Sequence, residues 1–430
     1  MLDKELRNSI IDLIKREVVP ATGCTEPMAV ALCVARATAL LGAEPVKISV
    51  SLSPNMLKNA MGVGIPGTGR TGLPVAVALG AICGDPSRGL LVLDTLSDGA
   101  VERADNFVSE GRVDISLAPE GCDILYISAA VTDATGKTAR CVISGSHTNV
   151  VYESVDDRVV SDSRCGASAS SCCKGEPELT MAMVWEFAME SPLSELEFIL
   201  EARRLNKLAA ERSFTGHYGH QVGRTLHSER QRTIMGDSVF SRVLSYTSAA
   251  CDARMAGAPM PVMSNSGSGN QGIAATLPVV IYAEENFASR EQTIRALVLS
   301  HLTAIYIKQS LGRLSALCGC VVAATGSACG LCYLMGGGYQ QVTATAKNMI
   351  ANLTGMICDG AKPSCAMKLA SGVSTAMMSA MLAMEGETVN SLEGIIDDDI
   401  DRTVHNLTRI GREGMRETDR LILEIMTTKP

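Results

Sequence analysis

The first forty residues carry apolar positions at helical spacing. These positions are Leu6, Ile10, Ile11, Leu13, Ile14 and Val18. Because residues three and four apart share one face of an α-helix, the pattern predicts an amphipathic helix that ends near Pro20. A second helix is predicted from Thr25 to about Leu41, and the segment PATGCTEP joins the two.

Between Val46 and about Val160 the pattern changes to short β-branched segments. VKISVSLS, DILYISAAVTD and TARCVISGSHTNVVYESV are each bounded by Gly, Pro, Asp or Asn, which is typical of strands. The same region contains the glycine-rich stretch MGVGIPGTGRTG, from Met61 to Gly72. We therefore expect this part of the chain to mix helices and strands.

The remaining sequence favours helices after a small polar segment. RCGASASSCCKGEP, from Arg164 to Pro177, is non-periodic and is the best linker candidate. Nearly everything after it has helical patterning, as in SELEFILEARRLNKLAAER. The sequence thus predicts an α+β fold with two domains, a mixed α/β substrate-side domain over residues 1–163 and a mainly α-helical domain over residues 178–430.

One segment imitates a membrane span. No charged residue occurs from Leu314 to Ala346, which exceeds the length of about 20 residues that a transmembrane helix needs. The run consists mostly of Gly, Ala, Ser and Cys, and polar sequence flanks it. We interpret it as a helix buried in the core of the helical domain.

Composition narrows the classes of partner. The 430 residues carry a net charge of −8, and aromatic residues make up only 3%. Nucleic acids and anionic membranes both require a basic surface, so neither is an expected partner. A small-molecule substrate remains open.

Fifteen cysteines are present, yet the N-terminal sequence MLDKELR has no apolar signal region. We therefore expect a cytoplasmic protein. In a reducing compartment, a surplus of cysteines indicates buried small apolar residues, metal ligands or catalytic thiols rather than a disulfide framework.

Cys358 and Cys365 lie on a loop in the segment GMICDGAKPSCAMK. Gly360 and Pro363 break any helix between them, and Lys362 would lower the pKa of nearby thiols. Two thiols on one loop suit zinc or an iron–sulfur cluster. Because C-x6-C matches no tight zinc pattern, two buried cysteines flanking a loop is the alternative that spacing alone favours.

Other close sets of thiols are weaker candidates. Cys329 and Cys332 form a C-x-x-C pattern inside the apolar run, where packing explains them better. Cys318 and Cys320 open that run, and a helix N-terminus there would help to hold Cys318 as a thiolate. The vicinal pair in the linker is a poor chelate.

Cys24 differs from all of these because it precedes Thr25, a good N-cap, at the start of the second helix. The positive end of that helix should depress the pKa of the thiol. An activated thiol on a sharp turn indicates a base or a nucleophile. A buried loop cysteine is an equal alternative.

The segment SNSGSGNQG, from Ser264 to Gly272, has no side chain larger than Gln. Such a loop exposes backbone N–H groups that can cradle a carboxylate or phosphate, although it is neither a P-loop nor a Rossmann fingerprint. A plain flexible loop is the alternative. His147 lies in SGSHTN between hydroxyl and amide residues, where a lone histidine is usually structural.

Five separated motifs together resemble the serine dehydratase-like L-cysteine desulfidase family and, more distantly, the iron–sulfur L-serine dehydratases. The motifs are GCTEP (Gly23 to Pro27), SPNMLKNAMGVGIPGTG (Ser53 to Gly69), MSNSGSGNQGI (Met263 to Ile273), SHLTAIYI (Ser300 to Ile307) and GMICDGAKPSCAMK (Gly355 to Lys368). They occur in the family's order and extend over essentially the whole chain.

The resemblance implies an oxygen-sensitive [4Fe-4S] cluster held by three cysteines, which fall on Cys318, Cys358 and Cys365. It also implies that the cysteine of GCTEP, here Cys24, is the proton acceptor. Three thiolates would satisfy three irons and leave the fourth open as a Lewis acid. The implied activity is β-elimination of L-cysteine to pyruvate, ammonia and hydrogen sulfide.

The residues that we expect to hold the substrate's carboxylate and ammonium lie on two polar segments. They are Asn265, Ser266, Gly267, Ser268, Asn270, His147 and Thr148.

Three other interpretations stay open. The same site could act on L-serine, since an iron can assist either leaving group. The chain could instead be a non-catalytic thiol-rich protein for metal storage or redox sensing, or a zinc-bound structural protein. We further expect a homo-oligomer.

Overall fold

The structure is a computed structural model that describes residues 2–156, 158–164, 176–312 and 315–429. Most of the predicted linker between Arg164 and Pro177 lies outside the described residues, as does its vicinal pair, Cys172 and Cys173.

A six-stranded mixed sheet lies in the N-terminal part of the chain. Its strands are ordered β3-β2-β4-β5-β6-β7, and only the β2–β3 pair is parallel. β1 and β8 form a separate two-stranded ladder. The strands are β1 (Pro20–Thr22), β2 (Lys47–Leu52), β3 (Val113–Leu117), β4 (Tyr126–Thr132), β5 (Thr138–Ser144), β6 (Val150–Val155), β7 (Arg158–Asp162) and β8 (Pro261–Met263).

Helices cover one face of this sheet. α2 packs against β4, β5 and α4, and its buried residues, such as Val30 and Val34, form a core with Ile127 and Ile143 of the sheet. The helices of this part are α1 (Lys4–Glu17), α2 (Thr25–Leu41), α3 (Pro54–Ala60), α4 (Leu73–Cys83) and α5 (Ala100–Ser109).

The rest of the described chain is helical apart from β8. The helices are α6 (Met181–Glu190), α7 (Leu193–Leu196), α8 (Leu200–Thr215), α9 (Val222–His227), α10 (Glu229–Met235), α11 (Val239–Met255), α12 (Gly269–Glu285), α13 (Arg290–Leu311), α14 (Gly319–Leu334), α15 (Tyr339–Leu353), α16 (Cys365–Met384), α17 (Ile400–Arg409) and α18 (Arg416–Thr428). A mixed sheet followed by a helical region confirms the α+β prediction.

The uncharged run forms the centre of the helical region. Its first helix, α14, packs against α12, α13, α15 and α16 and is buried along nearly its whole length. A Cβ on Gly326 would lie 2.2 Å from the carbonyl oxygen of Ser300, so only glycine allows α13 and α14 to approach this closely. The run is therefore buried in the core of the helical region, as predicted, and its small residues allow close helix packing.

A different helix has the length and composition of a membrane span. Among the described residues, α16 is the one helix that is long and apolar enough to cross a membrane, and half of its most apolar stretch is buried inside the protein. A buried core helix satisfies the same criterion.

The first and last helices each pack in the hydrophobic core of the opposite part of the chain. Ile10 and Ile14 of α1 pack in the core of the helical region, although they precede the sheet in sequence. Leu423 of α18 packs in the core beneath the sheet. The domain division at residues 163 and 178 stays a prediction.

Candidate active site

A short ladder joins the segment that carries Cys24 to a distant loop. β1 pairs antiparallel with β8. The pairing continues past the strands, because the N–H of Ser264 donates to the carbonyl oxygen of Val19 and that of Ser266 to Glu17, each at 2.9 Å. Since β1 ends just before Cys24, the ladder brings this residue to the loop that follows β8.

The glycine-rich stretch packs against both Gly23 and the end of α11. Gly23 has a φ of 67°, and a Cβ on it would come within 2.4 Å of Pro66 Cγ. A Cβ on Gly64 would lie 2.3 Å from the carbonyl carbon of Ala256. These approaches fix the start of α2 relative to the end of α11.

Cys24 is itself the N-cap residue of α2, one position earlier than the sequence pattern suggested. Its thiol is buried and donates to Oε2 of Glu26 at 2.9 Å. The hydroxyl of Thr25 lies 3.0 Å from the same carboxylate oxygen and 3.1 Å from the carbonyl oxygen of Gly267. The Glu26 carboxylate thus lies between the thiol and a hydroxyl that contacts the loop.

The pKa of Cys24 is raised, so the expectation of a depressed value is wrong. Burial is the largest cause, and the negative charge of Glu26 is the next. The positive charge of Arg254 acts in the opposite direction. The helix end contributes only about half a charge, which does not offset burial. Cys24 is therefore a protonated thiol with a carboxylate partner.

The SNSGSGNQG loop is a tight turn at the start of a helix. The backbones of Asn265 and Ser268 exchange two hydrogen bonds of 3.0 Å each. Ser266 and Gly267 have φ values of 49° and 79°, which lie in the left-handed region. Ser268 is the N-cap of α12, so the turn ends where free N–H groups and the helix dipole favour an anion.

The side chain of Asn265 is used in supporting this turn. Its Nδ2 lies 3.1 Å from both Nδ1 and the carbonyl oxygen of His301, and His301 Nε2 lies 3.0 Å from the hydroxyl of Thr276. Burial lowers the pKa of His301 to about 3, so its ring is neutral. The sequence pattern gave His301 no role, since this contact depends on how α12 and α13 pack.

The turn between β5 and β6 also reaches this loop. His147 is buried, and its ring Cε1 would lie 3.8 Å from a Cβ on Gly267. Thr148, the next residue, is exposed. The fold therefore brings His147 to the loop and leaves Thr148 outside it.

The three cysteines of the predicted cluster lie on two adjoining backbone segments. The N–H of Cys318 donates to the carbonyl oxygen of Met356 at 3.0 Å, and that of Cys358 donates to Ala316 at 2.7 Å. Cys318 is the N-cap of α14, and Cys365 is the first residue of α16. Two of the thiols thus start helices, and the third lies on the loop between.

These thiols are within electrostatic range of one another. The pKa of Cys318 is lowered, first by a hydrogen bond with the thiol of Cys320 and further by the charge of Lys368. Burial raises the pKa values of Cys358 and Cys365, and the negative charge of Cys318 raises both further. The prediction that Cys318 favours the thiolate is confirmed in direction.

Lysines surround the loop. Nζ of Lys58, which is buried, lies 3.5 Å from the carbonyl oxygen of Cys358. Asp359 accepts from Lys362 at 2.5 Å and from Lys368 at 2.6 Å. Because cations offset the charge of thiolates, this donor set fits an anionic iron–sulfur group.

The described residues contain no group of three or more His, Cys, Asp or Glu side chains arranged to hold a single metal ion. A four-iron cluster bonds each cysteine to a different iron, so its ligands need not converge on one point. Cys251 of α11 was missed by the sequence pattern. Burial raises its pKa, and the charges of Cys365 and Cys318 raise it further, so it lies near the same thiols.

Arg254, near the end of α11, was also missed. Its side chain is buried, and Nη1 donates to Oδ1 of Asn270 at 3.0 Å. The same oxygen lies 3.5 Å from Sγ of Cys251. Asp252 and Arg254 are two charged residues inside the small apolar segment SAACDARMAG. They could have indicated a functional site, because charged residues are rarely buried without a partner.

Comparison with known proteins gives concordant matches. A profile of the family described as serine dehydratase alpha chain matches residues 123–424. A UPF0597 protein of Bacteroides fragilis (strain YCH46) is 61% identical over 98% of this chain and 98% of its own length. UPF0597 proteins of Phocaeicola vulgatus and Oleidesulfovibrio alaskensis are 59% and 50% identical, over 100% and 97% of this chain and 99% and 97% of their own lengths.

Proposed function

This chain belongs to the serine dehydratase alpha-chain family, and from that premise we propose that it is an iron–sulfur lyase acting on a small amino acid. The substrate that we propose is L-cysteine. β-Elimination would convert it to pyruvate, ammonia and hydrogen sulfide. The five motifs that resemble L-cysteine desulfidases support this choice of substrate.

The observation that carries the proposal is the convergence of two different thiol environments. Cys24 is a lone buried thiol with a carboxylate partner, whereas Cys318, Cys358 and Cys365 form a group among lysines. α11 connects the two environments, because Arg254 acts electrostatically on Cys24 while Cys251 is within range of Cys318 and Cys365. α11 therefore links the thiol that we assign to proton transfer with the thiols that we assign to the cluster.

Cys318, Cys358 and Cys365 would hold a [4Fe-4S] cluster. When bound, the cluster supplies an iron with an open position, which acts as a Lewis acid toward the substrate and its departing sulfide. Ligation requires thiolates. The lowered pKa of Cys318 and the charges of Lys58 and Lys368 favour that state on the protein's side.

Cys24 is the group that we assign to removal of the Cα proton. Its own proton has an acceptor, since Oε2 of Glu26 is 2.9 Å from Sγ. Transfer to Glu26 leaves a thiolate, and the nearby charge of Arg254 stabilises it. The thiolate then takes the Cα proton while the β-substituent leaves. The resulting aminoacrylate tautomerises to an imine, which water hydrolyses to pyruvate and ammonia.

L-Serine is the second candidate substrate. The family description itself names serine dehydratase, and both β-substituents need the same proton removal and the same Lewis acid. Cys24, Glu26 and the cluster thiols would have unchanged roles. The two substrates differ only in the atom that leaves.

We expect faster pyruvate formation from L-cysteine than from L-serine in protein purified without oxygen. The test compares kcat/KM for both amino acids and measures iron and acid-labile sulfide in the same preparation. Cys24→Ser should keep its iron yet lose about 100-fold or more of its elimination rate, because it loses the proton acceptor. Cys83→Ser is the matched control, since Cys83 is a partly buried thiol at the end of α4.

Three results would overturn parts of this proposal. Faster turnover of L-serine would show that L-serine, and not L-cysteine, is the preferred substrate. Full activity in Cys24→Ser would remove Cys24 from the chemistry. A protein that contains iron but forms no pyruvate from either amino acid would support a non-catalytic metal or redox protein instead.

A further inference from the structure

A buried cation at the end of α11 has no counter-ion within the described part of the chain. Arg254 is 4% exposed, and its single hydrogen bond there is from Nη1 to Asn270. Its Nε is buried and finds no hydrogen-bond acceptor among the residues that the structure describes. An isolated buried charge is costly, so this guanidinium calls for a bound anion.

The guanidinium of Arg254 lies directly against the start of α12. A Cβ on Gly269 would come within 2.1 Å of Arg254 Nε, so only glycine lets the guanidinium lie across this helix N-terminus. The N–H groups of the first turn add to the positive potential there. Arginine's planar donors match a carboxylate in two-pronged geometry.

Gln271, in the first turn of α12, supplies a second buried polar atom, and this atom is an acceptor rather than a donor. Oε1 of Gln271 is buried, and no donor in the described part of the chain bonds to it. The carboxamide of Gln271 lies against Gly319, where a Cβ would be 3.0 Å from it. Gly319 follows Cys318, so the carboxamide of Gln271 lies at the start of α14, beside the proposed cluster ligand.

We propose that Arg254 binds the α-carboxylate of an α-amino acid and that Gln271 accepts a hydrogen bond from its α-ammonium group. The pair is matched to a zwitterion, because the unused donor of Arg254 and the unused acceptor of Gln271 both lie beside the first turn of α12. This assignment rests on the proposed function for the class of substrate. It differs from the sequence-based expectation, in which the side chain of Asn265 held the substrate.

Binding of ligands that cannot react tests the Arg254 contact independently of turnover. L-Alanine has both charged groups and no leaving group, whereas L-alaninamide lacks the carboxylate. We expect the anaerobically purified wild type to bind L-alanine about 10- to 100-fold more tightly than L-alaninamide in titration calorimetry, as a charge-assisted contact gives. Arg254→Gln should lose this preference, and Arg254→Lys should keep part of it.

Gln271 is tested with the ligand that lacks the ammonium group. The wild type should prefer L-alanine over N-acetyl-L-alanine, and Gln271→Met should reduce that preference by about 10-fold. Arg242→Gln is the matched control for the Arg254 variants, because Arg242 lies on α11 with Arg254 and pairs with Glu285 near the surface. Circular dichroism and thermal melting establish that each variant is folded.

The outcomes separate this inference from the proposed function. A wild type without preference for the acid over the amide overturns the inference, as does an Arg254→Gln protein that keeps it. If the preference depends on Arg254 but no amino acid yields pyruvate, the binding site stands and the proposed function fails. If pyruvate forms while both variants bind like the wild type, the function stands and the inference fails.

Discussion

Cys24 shows how neighbours from distant parts of the chain determine the chemistry of one residue. Its position before a helix indicated a stabilised thiolate. Burial and Glu26 reverse that effect, and Arg254, more than two hundred residues away in sequence, only partly offsets them. The motif GCTEP was sufficient to find the residue, but its protonation state depends on tertiary packing that no local pattern contains.

Glu26→Gln tests whether this carboxylate accepts the proton of Cys24. We expect kcat/KM for L-cysteine to fall about 100-fold near neutral pH, because the thiol loses its acceptor. The pKa of Cys24 should also fall, since the negative charge of Glu26 raises it in the wild type. In Glu26→Gln the thiolate forms only by loss of its proton to solvent, so the remaining kcat/KM should rise with pH, whereas the wild type, which transfers that proton to Glu26, should show no such alkaline rise.

Glu26→Asp is the control, because it keeps the carboxylate on a shorter side chain and should retain more activity than Glu26→Gln. Unchanged kcat/KM in Glu26→Gln, with an unshifted pH profile, would contradict the proton-acceptor role. Iron content should equal that of the wild type in both variants, since Glu26 is not a proposed ligand.

At the level of elements, the strongly patterned segments were predicted well. The second helix was expected from Thr25 to about Leu41, and these are the bounds of α2. The alternating segments became β2, β4, β5 and β6. Sequence did not show that α1 joins the helical core or that β1 pairs with β8, because both contacts span more than two hundred residues.

The packing of α13 on α14 gives a prediction about stability. Gly326→Ala places a Cβ 2.2 Å from the carbonyl oxygen of Ser300, which is backbone and cannot turn away. We expect a loss of about 1–3 kcal/mol in the free energy of unfolding, measured by chemical denaturation of the anaerobic protein. The two helices must separate to relieve the contact.

Gly414→Ala is the matched control, because within the described ranges a Cβ there would meet only Ile410 Cγ2 at 3.8 Å, an ordinary contact. Its stability should equal or slightly exceed that of the wild type, since alanine restricts the unfolded chain. Equal stability of the two variants would show that α13 and α14 tolerate a wider separation.

Across the whole molecule, one lysine connects three parts of the fold. Lys58 belongs to α3 beside the sheet, pairs with Asp419 of α18, and lies near the carbonyl oxygen of Cys358. Its side chain is almost fully buried. A Cβ on Gly360 would lie 2.3 Å from the carbonyl oxygen of Lys58. The cysteine loop, the segment from Cys358 to Cys365, therefore packs directly on α3.

Lys58→Met should therefore affect both stability and metal retention. We expect a loss of about 1–3 kcal/mol in the free energy of unfolding, because Asp419 keeps a charge without its partner. Iron should be lost faster during chelator challenge, followed by visible absorbance. Lys47→Met, which changes an exposed lysine at the start of β2, is the control and should behave like the wild type.

The parts of the candidate site that lie in recognisable sequence motifs could be predicted, whereas the parts that depend on tertiary contacts could not. Motifs identified Cys24, the Ser264 to Gly272 loop and the cysteine loop. Arg254 and Gln271 were not identified, because their significance lies in unpaired buried atoms. Such atoms become visible only once α11, α12 and α14 are packed together.

The β1–β8 ladder has a consequence for how the protein is made. Thr25 contacts Gly267, which is 242 positions later in the chain. Arg254, whose charge acts on Cys24, also lies in the later half of the chain. During synthesis, Cys24 therefore leaves the ribosome with Glu26 but long before Arg254 and Gly267 exist. Its final surroundings assemble only after more than half of the chain has been translated, and the cysteine loop emerges later still.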